Sequence, residues 1–130
     1  MTRPLRALLL AHGIVTIAAA VVLAVVPAAI PATVGIALQP DAFLLAYLLA
    51  AAELAIGILS LGATRLTDSA ALTLIIAVFV VFHLATAALE GLHLALTRFD
   101  AVIVINIAVR LAVSAAFLVL GRTRRVAASG

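Results

Sequence analysis

Apolar residues run along this chain in four long blocks, Leu5 to Ile30, Asp41 to Leu61, Ser69 to His93 and Asp100 to Gly121, separated by short polar or proline-bearing breaks. Each block is long enough to cross about 30 Å of hydrocarbon as a helix rising about 1.5 Å per residue. The pattern predicts an all-α fold: an integral membrane four-helix bundle forming one domain over residues 1–130, with approximate spans 5–30, 41–61, 69–93 and 100–121. Little chain is left for a soluble domain or nucleotide-binding module, so any site is expected in or beside the bundle.

Composition agrees, since 68% of residues are hydrophobic and only 10% are charged. Arg3 and Arg6 precede the first block as in a signal peptide, but its apolar run exceeds the usual h-region of about 7 to 15 residues, so it reads as a retained helix. There is no cysteine, which excludes disulfides, thiolate metal sites and thiol redox chemistry.

Every basic residue is an arginine, and their placement predicts the topology. Arg3, Arg6, Arg65, Arg122, Arg124 and Arg125 share one side if both termini are cytoplasmic, leaving Arg98 outside. The net charge of +3 then reports topology and attraction to anionic membrane lipid, and gives no support for a nucleic-acid partner.

The connection after the first block carries Pro27, Pro31, Gly35 and Pro40. It is expected to lie at the outer interface as a hydrophobic loop, or to act as a lid over the bundle mouth. Asp41, Asp68 and Asp100 each stand at a predicted helix start, where a carboxylate caps free backbone N–H groups. Residues Leu59 to Arg65 and Leu118 to Arg124 both read Leu-x-Leu-Gly-x-Thr-Arg. The simplest account is a shared helix ending, with Gly62 and Gly121 as C-caps followed by arginine at the headgroups.

Within the spans remain His12, Glu53, His83, Glu90 and Arg110, with His93 near an end. A guanidinium or carboxylate at bilayer depth is costly unless it faces protein and is paired, so these mark an interior polar site. Helical spacing puts His12 with Thr16, Glu53 with Gly57 and Ser60, His83 with Thr86 and Glu90, and Asn106 with Arg110 and Ser114, one polar stripe per helix.

Depth counted from the predicted cytoplasmic ends places His12, Glu53 and Arg110 together, with Glu53 as the expected partner of Arg110. The same count sets Tyr47, His83 and Asn106 in a second layer lining a small-ligand cavity, and Glu90 near the outer surface. Glu53, His83 and Arg110 are the candidate catalytic residues; Tyr47, Asn106, His12, Glu90 and Thr86 are candidate ligand-binding residues. His12 taken alone reads as a core histidine, and the polar stripes can also serve to hold helices together.

Glu90 and His93 form one Glu-x-x-His, whereas a di-iron bundle needs that spacing twice with two further glutamates. No metal site is predicted. Bis-histidine haem ligation is disfavoured because His12 and His83 fall at different counted depths; the identity of any cofactor stays open.

His12-Gly13 in an N-terminal helix beginning at Arg6, followed by Glu53-x-x-x-Gly57 and Gly62-x-Thr64-Arg65, resembles the first two helices of the DoxX-like group of small four-helix bacterial membrane proteins. The resemblance covers roughly the first half of the chain. It implies a four-helix bundle in the bacterial cytoplasmic membrane and an association with quinone-linked or redox membrane complexes.

Three functional classes follow. One is a membrane protein binding a lipophilic or quinone-like molecule, including an acid/base enzyme of the isomerase, epoxide-opening or cyclase type. The second is a non-catalytic DoxX-like subunit of a membrane redox complex. A small proton-coupled transporter fits less well, since its usual first-helix carboxylate and tryptophan are missing here. Small residues such as Ala50, Ala51 and Gly57 permit close helix contacts within a monomer or in a homo-oligomer.

Overall fold

A computed structural model describes residues 1–128, with side chains through Arg122. All regular structure among them is helical: α1 (Arg3–Val25), the short α2 (Ala29–Ala32), a single 3-10 turn (Pro40–Ala42) leading into α3 (Phe43–Ala63), then α4 (Ser69–Leu96) and α5 (Ala101–Ala128). The four long helices are each long and apolar enough to cross a membrane. Their outward surfaces carry large aliphatic side chains, among them Leu44, Leu45, Leu48, Leu74, Val81, Leu89 and Ile105, while His12, Thr16, Ser60, His83 and Ser114 are buried. Greasy outside and polar inside is the distribution expected where lipid is the solvent.

The chain divides into two compact units, Leu9–Arg65 and Leu66–Gly130 with Met1–Leu8. In the first, α1 ends at Val25, short of the expected Ile30. Pro27 lacks the N–H that a continuing helix needs, and the residue before a proline is steered away from helical geometry. The connection is not a plain loop. Pro31 sits inside α2, the Thr33 hydroxyl donates to the Ile30 carbonyl at 2.7 Å, and Gly35 turns the chain at a φ of 73°, where a Cβ would be strained. Leu38 then packs against Leu23, Ala46 and Ala50, which anchors the loop to its own unit.

The second unit is an α4–α5 hairpin. The Asp68 carboxylate accepts from the Ala70 and Ala71 N–H groups at 2.7 and 3.4 Å, and that of Asp100 from Val102 and Ile103 at 2.8 and 3.1 Å, so both cap as expected. Asp41 does not. It lies within the 3-10 turn, and the start of α3 has no side-chain cap. The tilted rings of Phe79 and Phe117, 5.4 Å apart and fully buried, fill the hairpin core.

Neither expected glycine cap is one. Gly62 is still helical near the end of α3, and α5 runs through Gly121 to Ala128. A Cβ on Gly121 would sit 3.4 Å from Ile76, an ordinary van der Waals contact, so this glycine faces α4 without a forced close approach. Of the matching second ending, Thr123 and Arg124 lie, like Arg125, outside the described side chains.

Candidate functional site

In the unit Leu9–Arg65, α1 and α3 approach most closely at two glycines. A Cβ on Gly13 would stand 2.7 Å from Leu61 Cδ2 and 3.0 Å from the Gly57 carbonyl; one on Gly57 would stand 2.5 Å from Ile17 Cγ1 and 3.1 Å from the Gly13 carbonyl. Two facing glycines let helix backbones touch, which is how helices gain packing energy in lipid, where burying apolar surface adds little.

One turn along α3, the fully buried Ser60 hydroxyl donates to the Leu9 carbonyl at 2.9 Å and lies 3.0 Å from His12 Nδ1. A hydroxyl has one proton. If it goes to Leu9, the His12 bond must run the other way, with Nδ1–H donating to Ser60 Oγ, which in a neutral ring leaves Nε2 as the acceptor nitrogen. His12, Gly13, Gly57 and Ser60 thus hold α1 and α3 together. Glu53 sits one turn before Gly57, half-buried.

Tyr47 is not an interior residue. It is 45% exposed, its ring edge-on to Phe43, and it lines a shallow cavity of about 300 Å³ together with Ala20, Ala24, Ala50 and Ala51. The sequence estimate counted depth but not azimuth. Six residues separate Tyr47 from Glu53, a rotation of about 600° at about 100° per residue, which puts them on different faces of α3.

The charged centre lies in the α4–α5 hairpin. Arg110 Nε donates to Glu90 Oε1 at 3.2 Å, and Asn106 Nδ2 donates to the same oxygen at 2.6 Å. The two side chains of the ion pair are 18% and 20% exposed. Within the hairpin the carboxylate bonded to Arg110 is Glu90, which the sequence spacing had set apart from it in favour of Glu53. Counting from the far ends of the helices set Glu90 too far in depth from Arg110, because α5 ends at Ala128 instead of Gly121 and its far end shifts by about 10 Å. Counting from the shared turn puts Glu90 about 9 Å from Leu96 and Arg110 about 13 Å from Ala101, less than one helical turn apart in depth. A short connection between antiparallel helices was the signal that would have found Glu90.

Around this pair the hairpin adds Phe82 and His83. The Arg110 guanidinium lies 6.0 Å from the Phe82 ring centre, at the outer limit of a cation–π contact, and the buried His83 ring meets the same phenyl edge-on at 5.4 Å. Thr86 is spent locally, its hydroxyl donating to the Phe82 carbonyl at 2.8 Å. Ser114, one turn beyond Arg110 and 2% exposed, has a hydroxyl with no hydrogen-bond partner among the described residues.

Glu90 Oε2 is likewise buried with no partner among them, although Oε1 receives two donors. Arg110 reaches this carboxylate through Nε and not through its terminal nitrogens. A carboxyl oxygen, guanidinium N–H groups and a serine hydroxyl are thus left with unused hydrogen-bonding capacity in a half-buried apolar setting. Such a set can hold a carbonyl or hydroxyl oxygen and exchange a proton with it.

Comparison with protein-family models, curated proteins and solved structures finds no match for the chain.

Proposed function

We propose that this chain is a multi-pass protein of the bacterial cytoplasmic membrane, with both termini cytoplasmic, that binds a lipophilic molecule bearing a carbonyl or hydroxyl group, of quinone type, at Glu90, Arg110 and Asn106. The carrying observation is the asymmetry of the Glu90 carboxylate: Oε1 takes both Arg110 and Asn106, and the buried Oε2 takes nothing among the described residues. A pair serving only to join two helices would gain by satisfying both oxygens, since an unpaired buried polar atom costs about 1–3 kcal/mol. A ligand hydroxyl at Oε2, with its carbonyl at the Arg110 terminal nitrogens, would satisfy both groups.

In an acid/base enzyme Arg110 would stabilise negative charge developing on the ligand oxygen and Glu90 would move the proton. Glu90 thereby takes the role first given to Glu53, with His83 behind Phe82 as a positioning candidate. The test is extraction of organic-soluble molecules from protein purified in mild detergent, read by mass spectrometry and by an absorption spectrum. Wild type should retain a quinone-like compound that Glu90→Gln and Arg110→Gln lose while staying folded. Equal recovery from all three proteins would remove the proposal.

A second reading, a non-catalytic subunit of a redox complex, is favoured by the glycine crossing. The residues that resemble the DoxX-like group, His12, Gly13 and Gly57, are occupied with helix packing. Copurification of a partner chain together with quinone would favour the subunit, and turnover by the isolated protein the enzyme.

A further inference from the structure

At the end of the hairpin away from its turn, α4 and α5 leave a groove of about 250 Å³ bordered by Thr73, Ile76, Ala77, Phe117, Gly121 and Arg122. Its walls are aliphatic and aromatic, and the absent side chain of Gly121, against Ile76, leaves the space between the helices open. Arg122 is exposed and directly follows the apolar run that ends at Gly121 in the sequence, so its guanidinium stands at headgroup depth if the helix crosses a bilayer. Thr73 places a hydroxyl on the facing helix near the same end.

We infer that this groove is a binding site for an anionic phospholipid of the surrounding leaflet, with part of an acyl chain against the exposed Ala77 and Leu118 and the phosphate at Arg122. Charge complementarity selects this occupant. A basic pocket between helices at the membrane surface recognises an anionic headgroup, whereas a purely aliphatic groove accepts any lipid tail. The cavity lined by Tyr47 and alanines has no charged residue among its lining residues, and gives no reason to prefer one lipid over another. The site does not depend on what binds at Glu90, which belongs to the opposite half of the hairpin.

The test uses the full chain, delipidated in detergent and titrated separately with dioleoyl phosphatidylglycerol and dioleoyl phosphatidylcholine, with bound lipid counted by native mass spectrometry. Wild type should bind the anionic lipid about fivefold more tightly, the factor expected of one arginine at a headgroup. Arg122→Lys should keep the preference and Arg122→Gln should lose it. Ala77→Leu fills the groove from an exposed position with the charge unchanged; it should lower occupancy as much as Arg122→Gln does. Gly121→Leu provides a second filling variant, and helicity with a monodisperse elution profile establishes that each protein is folded. Equal binding of the two lipids by wild type overturns the inference. So does full phosphatidylglycerol binding by the filled variants, which would reduce Arg122 to general surface attraction.

Discussion

Glu90 and Arg110 meet across the α4–α5 hairpin through a single contact, Nε to Oε1 at 3.2 Å, with Asn106 on the same oxygen at 2.6 Å. A bidentate pair would have closed both carboxylate oxygens and one whole edge of the guanidinium. This one-sided geometry keeps two charges together within an apolar hairpin while leaving Oε2 and the terminal guanidinium nitrogens for something else.

Neutralising one partner should therefore hurt more than neutralising both. Glu90→Leu or Arg110→Leu strands a charge, which costs about 3–5 kcal/mol in a fully buried pair and less here because both groups are partly exposed. The double variant should unfold at a higher temperature in detergent than either single variant. If its loss equals the sum of the single losses, the two residues are not coupled. Because it lacks both polar groups, the double variant should also lose any bound quinone.

Gly57→Ala should destabilise the protein by about 1–3 kcal/mol, the usual penalty of forcing extra volume into a packed contact, since its Cβ would stand 2.5 Å from Ile17. Gly62→Ala is the matched control, because nothing lies within 4 Å of its Cβ. It should be neutral, or stabilising by up to about 1 kcal/mol through the gain in helix propensity. Thermal unfolding of the two variants side by side checks the contact; equal midpoints would show that the glycine crossing is not tight.

Removing the Ser60 hydroxyl breaks the link from His12 to the Leu9 carbonyl. Ser60→Ala should cost about 0.6–1.7 kcal/mol, the range measured for interhelical hydrogen bonds in a membrane. Thr64→Ala removes only a hydroxyl bonded to its own helix, at Leu61, and should change the midpoint little. If the two variants behaved alike, the His12–Ser60–Leu9 link would not contribute to stability.

Orientation is checked in cells. Reporter fusions at either terminus should report a cytoplasmic location, and a fusion in the connection around Arg98 an external one, because the arginines concentrate on the side of the termini. An external C-terminal reporter would reverse the topology and place Arg122 in the outer leaflet.

Four apolar spans, the capping roles of Asp68 and Asp100 and the polar stripe on each helix could all be read from the chain itself. Hydropathy, capping and helical periodicity are local properties, set by residues within a few positions of one another. The partner of Arg110 was not local. Glu90 lies twenty residues away, and its depth depends on where α5 ends, a boundary that Gly121 seemed to mark and that the structure moves to Ala128. The same holds for Tyr47, whose depth suggested an interior position while its azimuth turned it outward, and for Gly13 and Gly57, which matter only because α1 and α3 cross where both lack a side chain. Sequence determines which groups must avoid lipid, because the cost of exposing them belongs to each side chain alone. Which of those groups meet is decided by tertiary structure, since a rotation of about 100° per residue and a few ångströms of helix register choose among several acids of nearly equal chemical merit.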